Sequence, residues 1–221
     1  MRYNWEIESF DFVDAYLNGE LDDNEVIYMQ SPPGYDSDAH TVKWLKKSLY
    51  GLKQAGCKWY NTLVRALTSL NFHISFADPG IFYAHIGEDI LILAVHVNDC
   101  ILTDNSSKLI TLYKQKLNDC YALTDLGPVH WLLGIKITCD HTAHTISLSQ
   151  VSFVNTILSR FSMTDAKPYG SSMVSGIIYS QKDSPSSPDK TERMKRTPYR
   201  QAIGCDELCS SPSHMTLRMR T

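Results

Sequence analysis

Three short runs rich in β-branched and aromatic residues, 81–85, 90–97 and 100–103, follow one another with only Ile86-Gly87-Glu88-Asp89 and Asn98-Asp99 between them. Connections this short cannot hold a crossover helix, so the runs must pair antiparallel as a meander. The apolar face of a meander needs a cover. Residues 59–70 supply one, because Tyr60, Leu63, Val64, Leu67 and Leu70 recur at helical spacing and Asn71 follows as a stop. Ser106-Ser107 can cap a second helix through Asn118, with Leu109, Ile110, Tyr113 and Leu117 on one face.

The rest of the chain fits the same plan. Residues 5–12 place Trp5, Ile7, Phe10 and Phe12 in a loose alternation that reads as a strand turning into a short helix or loop. An acidic stretch, 20–25, precedes Ile27-Tyr28-Met29 and the surface loop Ser31-Pro32-Pro33-Gly34, which neither a helix nor a central strand tolerates. Residues 131–138 and 145–148 read as a hairpin, and 151–161 as an amphipathic helix. Strand, helix, strands, helix, hairpin and helix in that order predict an α+β fold, an antiparallel sheet with helices on one face. Beyond Asp165 the composition becomes that of a linker: Pro168, Gly170, Ser171, Ser172 and Ser184-Pro185-Ser186-Ser187-Pro188. A first domain over 1–165 is expected, followed by an extended or disordered connection over 166–204.

Composition narrows the functional classes. With 43% hydrophobic residues in 221, the chain has material for a core. A formal net charge of −3 and a pI of about 6.2 exclude a surface that binds nucleic acid everywhere, while leaving room for a local basic groove. No segment reaches the roughly 18 continuous apolar residues of a membrane span, and no secretion signal opens the chain. An intracellular protein, cytoplasmic or nuclear, away from the membrane is expected. The six cysteines, Cys57, Cys100, Cys120, Cys139, Cys205 and Cys209, follow no framework spacing and read as free thiols.

Carboxylates at strand ends are what a two-metal phosphoryl transfer needs, since magnesium prefers hard oxygen ligands from converging acids. Asp11 ends the first strand, and Asn98-Asp99 occupies a tight turn that antiparallel pairing could bring beside it. Alone this signal is weak, because an Asp at a strand end is more often a turn former. Lys43, Lys46, Lys47, Lys53 and Lys58, interleaved with Trp44, Tyr50 and Trp59, are the types that contact phosphates and stack on bases. A run of lysines is more often a solvated face. Cys205, Cys209 and His214 have poor spacing for zinc, and a fourth ligand is not evident.

The ordered motifs say more. Asp11-Phe12-Val13-Asp14-Ala15-Tyr16-Leu17-Asn18-Gly19, then Ser48-Leu49-Tyr50-Gly51-Leu52-Lys53-Gln54-Ala55 with Trp59-Tyr60, then Ala94-Val95-His96-Val97-Asn98-Asp99, resemble the palm motifs of copia-type retrotransposon reverse transcriptases. Thr124-Asp125-Leu126-Gly127-Pro128 and Trp131-Leu132-Leu133-Gly134-Ile135 resemble those that close the palm and grip the primer, and the likeness runs over about residues 4–204. The resemblance implies a palm-like sheet, an RNA-directed DNA polymerase using Mg2+ or Mn2+, and an RNA or DNA primer-template with deoxynucleotides as partners. It makes Asp11 and Asp99 metal ligands and catalytic residues, with Asn98 a degenerate third. It places Tyr16, Gly51 and Gln54 around the nucleotide, and Lys53, Lys58, Trp59, Leu133 and Gly134 along the nucleic acid. A ring at Tyr16 would clash with a ribose 2′-hydroxyl and so select deoxynucleotides.

The chain departs from the family in several places. Asn98 stands where the family carries the first acid of the metal turn, and an uncharged amide should weaken metal binding steeply. Gly56-Cys57 replaces the usual Pro-Arg. Only four residues precede the matching part, where the family has fingers that clamp the triphosphate, and residues 205–221 match nothing in it and are expected to be an out-of-frame remnant. The expectation is a polymerase-shaped, inactive domain. The alternatives are a non-catalytic nucleic-acid-binding remnant and a decaying gene product.

Overall fold

The computed structural model describes residues 5–32, 34–35, 41–167 and 184–210 together with 176, 178 and 180; for 206–210 it describes the backbone alone. The expected tail beyond 210 lies outside the described residues. Two compact units are present, one built on residues 1–133 with 140–144, the other on 134–139 with 145–219.

In the first unit the chain runs through β1 (Glu6–Phe12), a 3-10 helix (Ala15–Asn18), β2 (Tyr28–Gln30), β3 (Val42–Trp44) and α1 (Ala55–Ser69). It continues through β4 (His73–Ile74), β5 (Ile81–Ile86), β6 (Asp89–His96), β7 (Asp99–Asp104), α2 (Ser107–Cys120), β8 (Leu123–Pro128) and β9 (Trp131–Leu132). Six strands form one sheet in the order β4-β5-β6-β7-β1-β8, so the first strand sits between the end of the meander and β8. The α+β class read from the sequence is the one observed.

Alternation dictates which face is covered. Phe10, Phe12, Phe82, Ala84, Leu91, Leu93, Cys100 and Leu102 are buried on one side of their strands and join one core with Trp59, Leu63 and Leu67 of α1 and Ile110, Tyr113 and Leu117 of α2. Edge-to-face ring contacts order its centre, with Phe12 and Trp59 centroids 5.2 Å apart and Trp59 and Tyr121 5.4 Å apart. Not every buried position is apolar. Lys114, 4% exposed on the core side of α2, places its ammonium 2.6 Å from Glu8 of β1 and 2.5 Å from Asp125 of β8. Burial acts to raise the Asp125 carboxyl, but the Lys114 hydrogen bond and the Gly127 N–H outweigh it and hold the group below the usual carboxylate range.

Several details differ from the sequence reading. β8 was not expected as a strand, because Gly127 and Pro128 are poor strand formers; it pairs with β1 across a register shift between Ser9 and Phe10, with Gly127 at φ +68°. The expected strand over 131–138 breaks at Leu133 and Gly134, both at positive φ (49° and 80°), leaving β9 and a separate β10 (Ile135–Asp140).

In the second unit β10 neighbours β11 (Thr145–Ser149), followed by α3 (Val151–Arg160), α4 (Pro188–Arg196) and α5 (Tyr199–Ser210). The last two helices correct the expectation of an extended or disordered connection. Ser187 caps α4 by accepting from the Lys190 N–H at 3.3 Å, Pro188 occupies the first turn with Asp189, and Arg193, Lys195 and Arg196 close the last turn. Linker composition up to Pro188 masked a helix start of a standard kind. Among the described residues no helix is long and apolar enough to cross a membrane.

Gly56, in the first turn of α1, has room for a side chain: an added Cβ would meet only Tyr16 Cε1, at 3.9 Å. Gly56→Ala is therefore expected to stabilise the domain by about 0.5–1 kcal/mol through helix propensity and a narrower unfolded ensemble. Urea denaturation of the two proteins checks this.

Candidate active site

Register builds the site. β1 and β7 pair antiparallel with Phe10 opposite Cys100 and Asp11 opposite Asp99. Because Phe10 and Cys100 face the core, the next residue on each strand points to the other side, and both carboxylates lie together there. The Val97-Asn98 turn between β6 and β7 adds the third group, with Asn98 Nδ2 donating to Asp11 Oδ1 at 2.6 Å. An ionised carboxylate only accepts, so the amide must present its NH2 rather than its oxygen. Burial raises the Asp11 carboxyl above its ordinary value, the Asn98 hydrogen bond opposes this, and the Asp99 charge adds to the rise. Burial, then the charges of Asp11 and Asp99, push the neighbouring Cys100 thiol well above its usual range, so it stays protonated.

The turn is held by its backbone. Trp59 Nε1 donates to the Val97 carbonyl at 2.7 Å, and the Phe12 N–H donates to the Asn98 carbonyl at 3.1 Å. Val97 sits at φ 62°, a conformation that costs a β-branched residue about 1–2 kcal/mol. Those two hydrogen bonds keep it there.

Around the acids the expected residues separate into groups. Tyr16, on the 3-10 helix, meets Tyr50 edge to face at 5.0 Å between centroids. Its carbonyl accepts from the Ser48 hydroxyl, and the Ser48 N–H donates to Gly19 O at 2.8 Å. Gly19 is needed here, because a Cβ would lie 2.7 Å from Ser48 Oγ and 2.9 Å from the Trp59 nitrogen. Ser48, fully buried, was not singled out in the sequence and carries no signal there beyond its place in the motif. Gly51 takes φ +92° at an open turn, and Gln54 sits at the N-cap position just before α1. A cavity of about 200 Å³, lined by Tyr16, Trp59, Tyr60, Val95 and Val97 among others, lies beside the turn. Leu133, 53% exposed, lines a second cavity of about 180 Å³ with Ser9, Asp99 and Trp131. Gly134 belongs to the other unit.

Two residues expected along the nucleic acid are engaged elsewhere. Trp59 is 2% exposed, so its ring is a core element and has no face free for a base. Lys58 forms ion pairs with Asp22 at 2.6 Å and Glu25 at 2.8 Å, and its hydrogen bonds to Asp22 and then Glu25 raise its pKa. The acidic loop after the 3-10 helix neutralises it. Lys53 is exposed.

The donor set does not fit a pair of divalent ions. Two cations need several converging hard oxygens. Among the described residues no group of three or more His, Cys, Asp or Glu converges on one point, and the third member of this cluster turns an N–H toward Asp11.

The family model described as "Reverse transcriptase (RNA-dependent DNA polymerase)" matches residues 1–175, and the chain belongs to that family. Relatives that match most of the chain are retrovirus-related Pol polyproteins from copia-type transposons. It is 33% identical over 202 residues to the retrovirus-related Pol polyprotein from transposon TNT 1-94 of Nicotiana tabacum, covering 90% of this chain and 15% of that polyprotein. To the corresponding polyprotein from transposon RE1 of Arabidopsis thaliana it is 34% identical over 167 residues, covering 75% of this chain and 11% of the relative. For transposon RE2 of the same plant the identity is 31% over 191 residues, with 86% and 13% covered. The chain thus spans about one-seventh or less of these relatives.

Proposed function

We propose that this reverse transcriptase domain retains the frame of a nucleotide- and primer-template-binding site but has lost nucleotidyl transfer at the Asn98–Asp11 contact. The 2.6 Å hydrogen bond from the amide to Asp11 carries the reading. An N–H donor aimed at the carboxylate takes the place that a cation would need, and it brings no negative charge to balance one. Asp11 and Asp99 are the residues that would hold Mg2+ or Mn2+, and they would do so weakly. When bound, such ions supply Lewis-acid stabilisation of the transferring phosphoryl group. Tyr16 with Tyr50 at its edge forms the floor for a deoxynucleotide sugar, Gly51 and Gln54 serve the same nucleotide, and Lys53 and Leu133 meet the duplex backbone. Support for the domain's business with nucleic acid is the family membership, whose description names RNA-dependent DNA polymerase.

Primer extension tests the reading. The purified chain, mixed with a labelled primer on a homopolymer template and Mg2+ or Mn2+, is expected to bind the duplex and leave the primer unextended. Robust, template-directed extension by the unaltered chain would overturn the proposal.

A further inference from the structure

We infer that the β2–β3 ribbon is a stacking platform for an unpaired nucleic-acid strand, with Tyr28 and Trp44 taking the bases and Lys46 and Lys47 the phosphates. The inference rests on the reading above that the domain handles nucleic acid, and it assigns a second surface that the acid cluster does not include. The ribbon pairs Tyr28 opposite Trp44 and Gln30 opposite Val42, so these four side chains share one face. That face is uncovered: Tyr28 is 62% exposed, Trp44 49% and Val42 55%. Exposed rings paired side by side, unlike scattered single ones, are what an interaction surface presents.

Charge selects the occupant. From Ala39 to Ala77 the sequence holds five lysines, one arginine and no Asp or Glu, in a chain whose formal net charge is −3. The acidic loop takes two of these cations, Lys58 through Asp22 and Glu25, and Arg65 through Glu20. Among the described residues Lys47 and Lys53 have no ion-pair partner, and the Lys46 ammonium lies 3.0 Å from the Trp44 ring centroid. A cation resting on an exposed indole beside a second exposed ring is the set that binds a single strand, through base stacking and phosphate neutralisation.

The platform is fixed to the site by main-chain contacts. Leu45 N donates to Ile27 O at 2.9 Å, Leu21 N to Lys46 O at 3.3 Å and Ser48 N to Gly19 O at 2.8 Å, which ties the strand carrying Trp44 to the 3-10 helix of Tyr16. A strand lying on the ribbon would therefore lead toward Tyr50 and Tyr16.

Fluorescence anisotropy of a labelled oligothymidylate, with EDTA present so that the acid cluster plays no part, tests the inference. Removing either ring, in Tyr28→Ala or Trp44→Ala, should weaken binding about tenfold, the effect of one lost base–aromatic stack. Trp44→Phe should recover most of it. Lys47→Glu should lower the slope of log affinity against log salt by about one or more phosphate contacts. Circular dichroism confirms that the variants fold, and the exposed positions make that the expected result. If the single strand binds but Tyr28→Ala and Trp44→Ala leave its affinity unchanged, the platform is refuted while the domain's binding of nucleic acid stands. If a duplex primer-template binds and the single strand does not, the platform is again refuted. If Trp44→Ala instead abolishes self-association in sedimentation, the face is an interface between copies and the inference falls.

Discussion

Asn98→Asp is expected to convert a protein that responds only weakly to divalent cations into one that depends on them. The substitution replaces the donor 2.6 Å from Asp11 with a third carboxylate beside Asp11 and Asp99. In EDTA the variant should be less stable than the parent by about 1.5–3 kcal/mol, the worth of a hydrogen bond to a charged group, with like-charge repulsion added. Magnesium should reverse this, because a ligand that binds only the folded state stabilises it. Affinity for the ion should rise at least about tenfold, since one added charge at contact distance easily exceeds 1.4 kcal/mol. The sign with pH follows from Asp11. Its carboxyl already lies above its ordinary value, and losing the amide while gaining an acid raises it further. A raised carboxyl penalises the fold above the folded-state pKa and relieves it as pH falls through that pKa, so the EDTA deficit should shrink on acidification. Thermal melts with and without magnesium would show it. Equal magnesium stabilisation of parent and variant would sink the argument, because the amide would then be no obstacle to the ion.

The second large effect belongs to Lys114. Lys114→Ala should cost about 3 kcal/mol, near the low end for removing one partner of a buried ion pair, because Asp125 keeps 57% of its side chain in water and can be partly resolvated. Lys114→Met, which preserves the packing of the stem, should recover part of that loss and so separate packing from charge. Asp125 lies below its ordinary range in the folded state. The stability it contributes is therefore present above an unfolded carboxyl pKa of about 3.9 and disappears as pH falls through the lower folded value. Parent and Lys114→Met should converge only as pH falls through that lower folded value, where the carboxylate partner is lost in both. Denaturant midpoints across that range measure the difference, and a gap independent of pH would mean that the ammonium acts through packing alone.

Much of this was written in local patterns. Alternation in 81–85, 90–97 and 100–103 with tight turns between them forced the meander, and a period of two in the first strand put Asp11 on the face opposite Phe10 and Phe12. Once β1 pairs with β7, Asp11 must fall beside the 98–99 turn. What local pattern could not supply was partnership. The α2 face reads Ile110, Tyr113, Leu117, and Lys114 fills the same stripe; a lysine at a core position implies an acid elsewhere, but Glu8 and Asp125 are remote in sequence and ordinary in type. Lys58 looked like one more member of a basic run until the acidic loop folded back on it. Trp59 looked like a stacking residue, and its indole is instead a core ring whose N–H fixes the Val97 turn. The helix over 188–196 was hidden because serine and proline mark linkers and helix starts alike.

The hold of Trp59 and Phe12 on the Val97-Asn98 carbonyls has a bearing on heredity. Neither contact involves the side chain at position 98, so the backbone of the hairpin is held in the same way by an asparagine or an aspartate there. In a cell supplied with magnesium, chaperones and proteases that judge proteins by their folding would treat the acid and the amide alike. Asparagine and aspartate codons differ by a single base. Exchange of one for the other is then a change that cellular surveillance does not register and that one copying error can reverse.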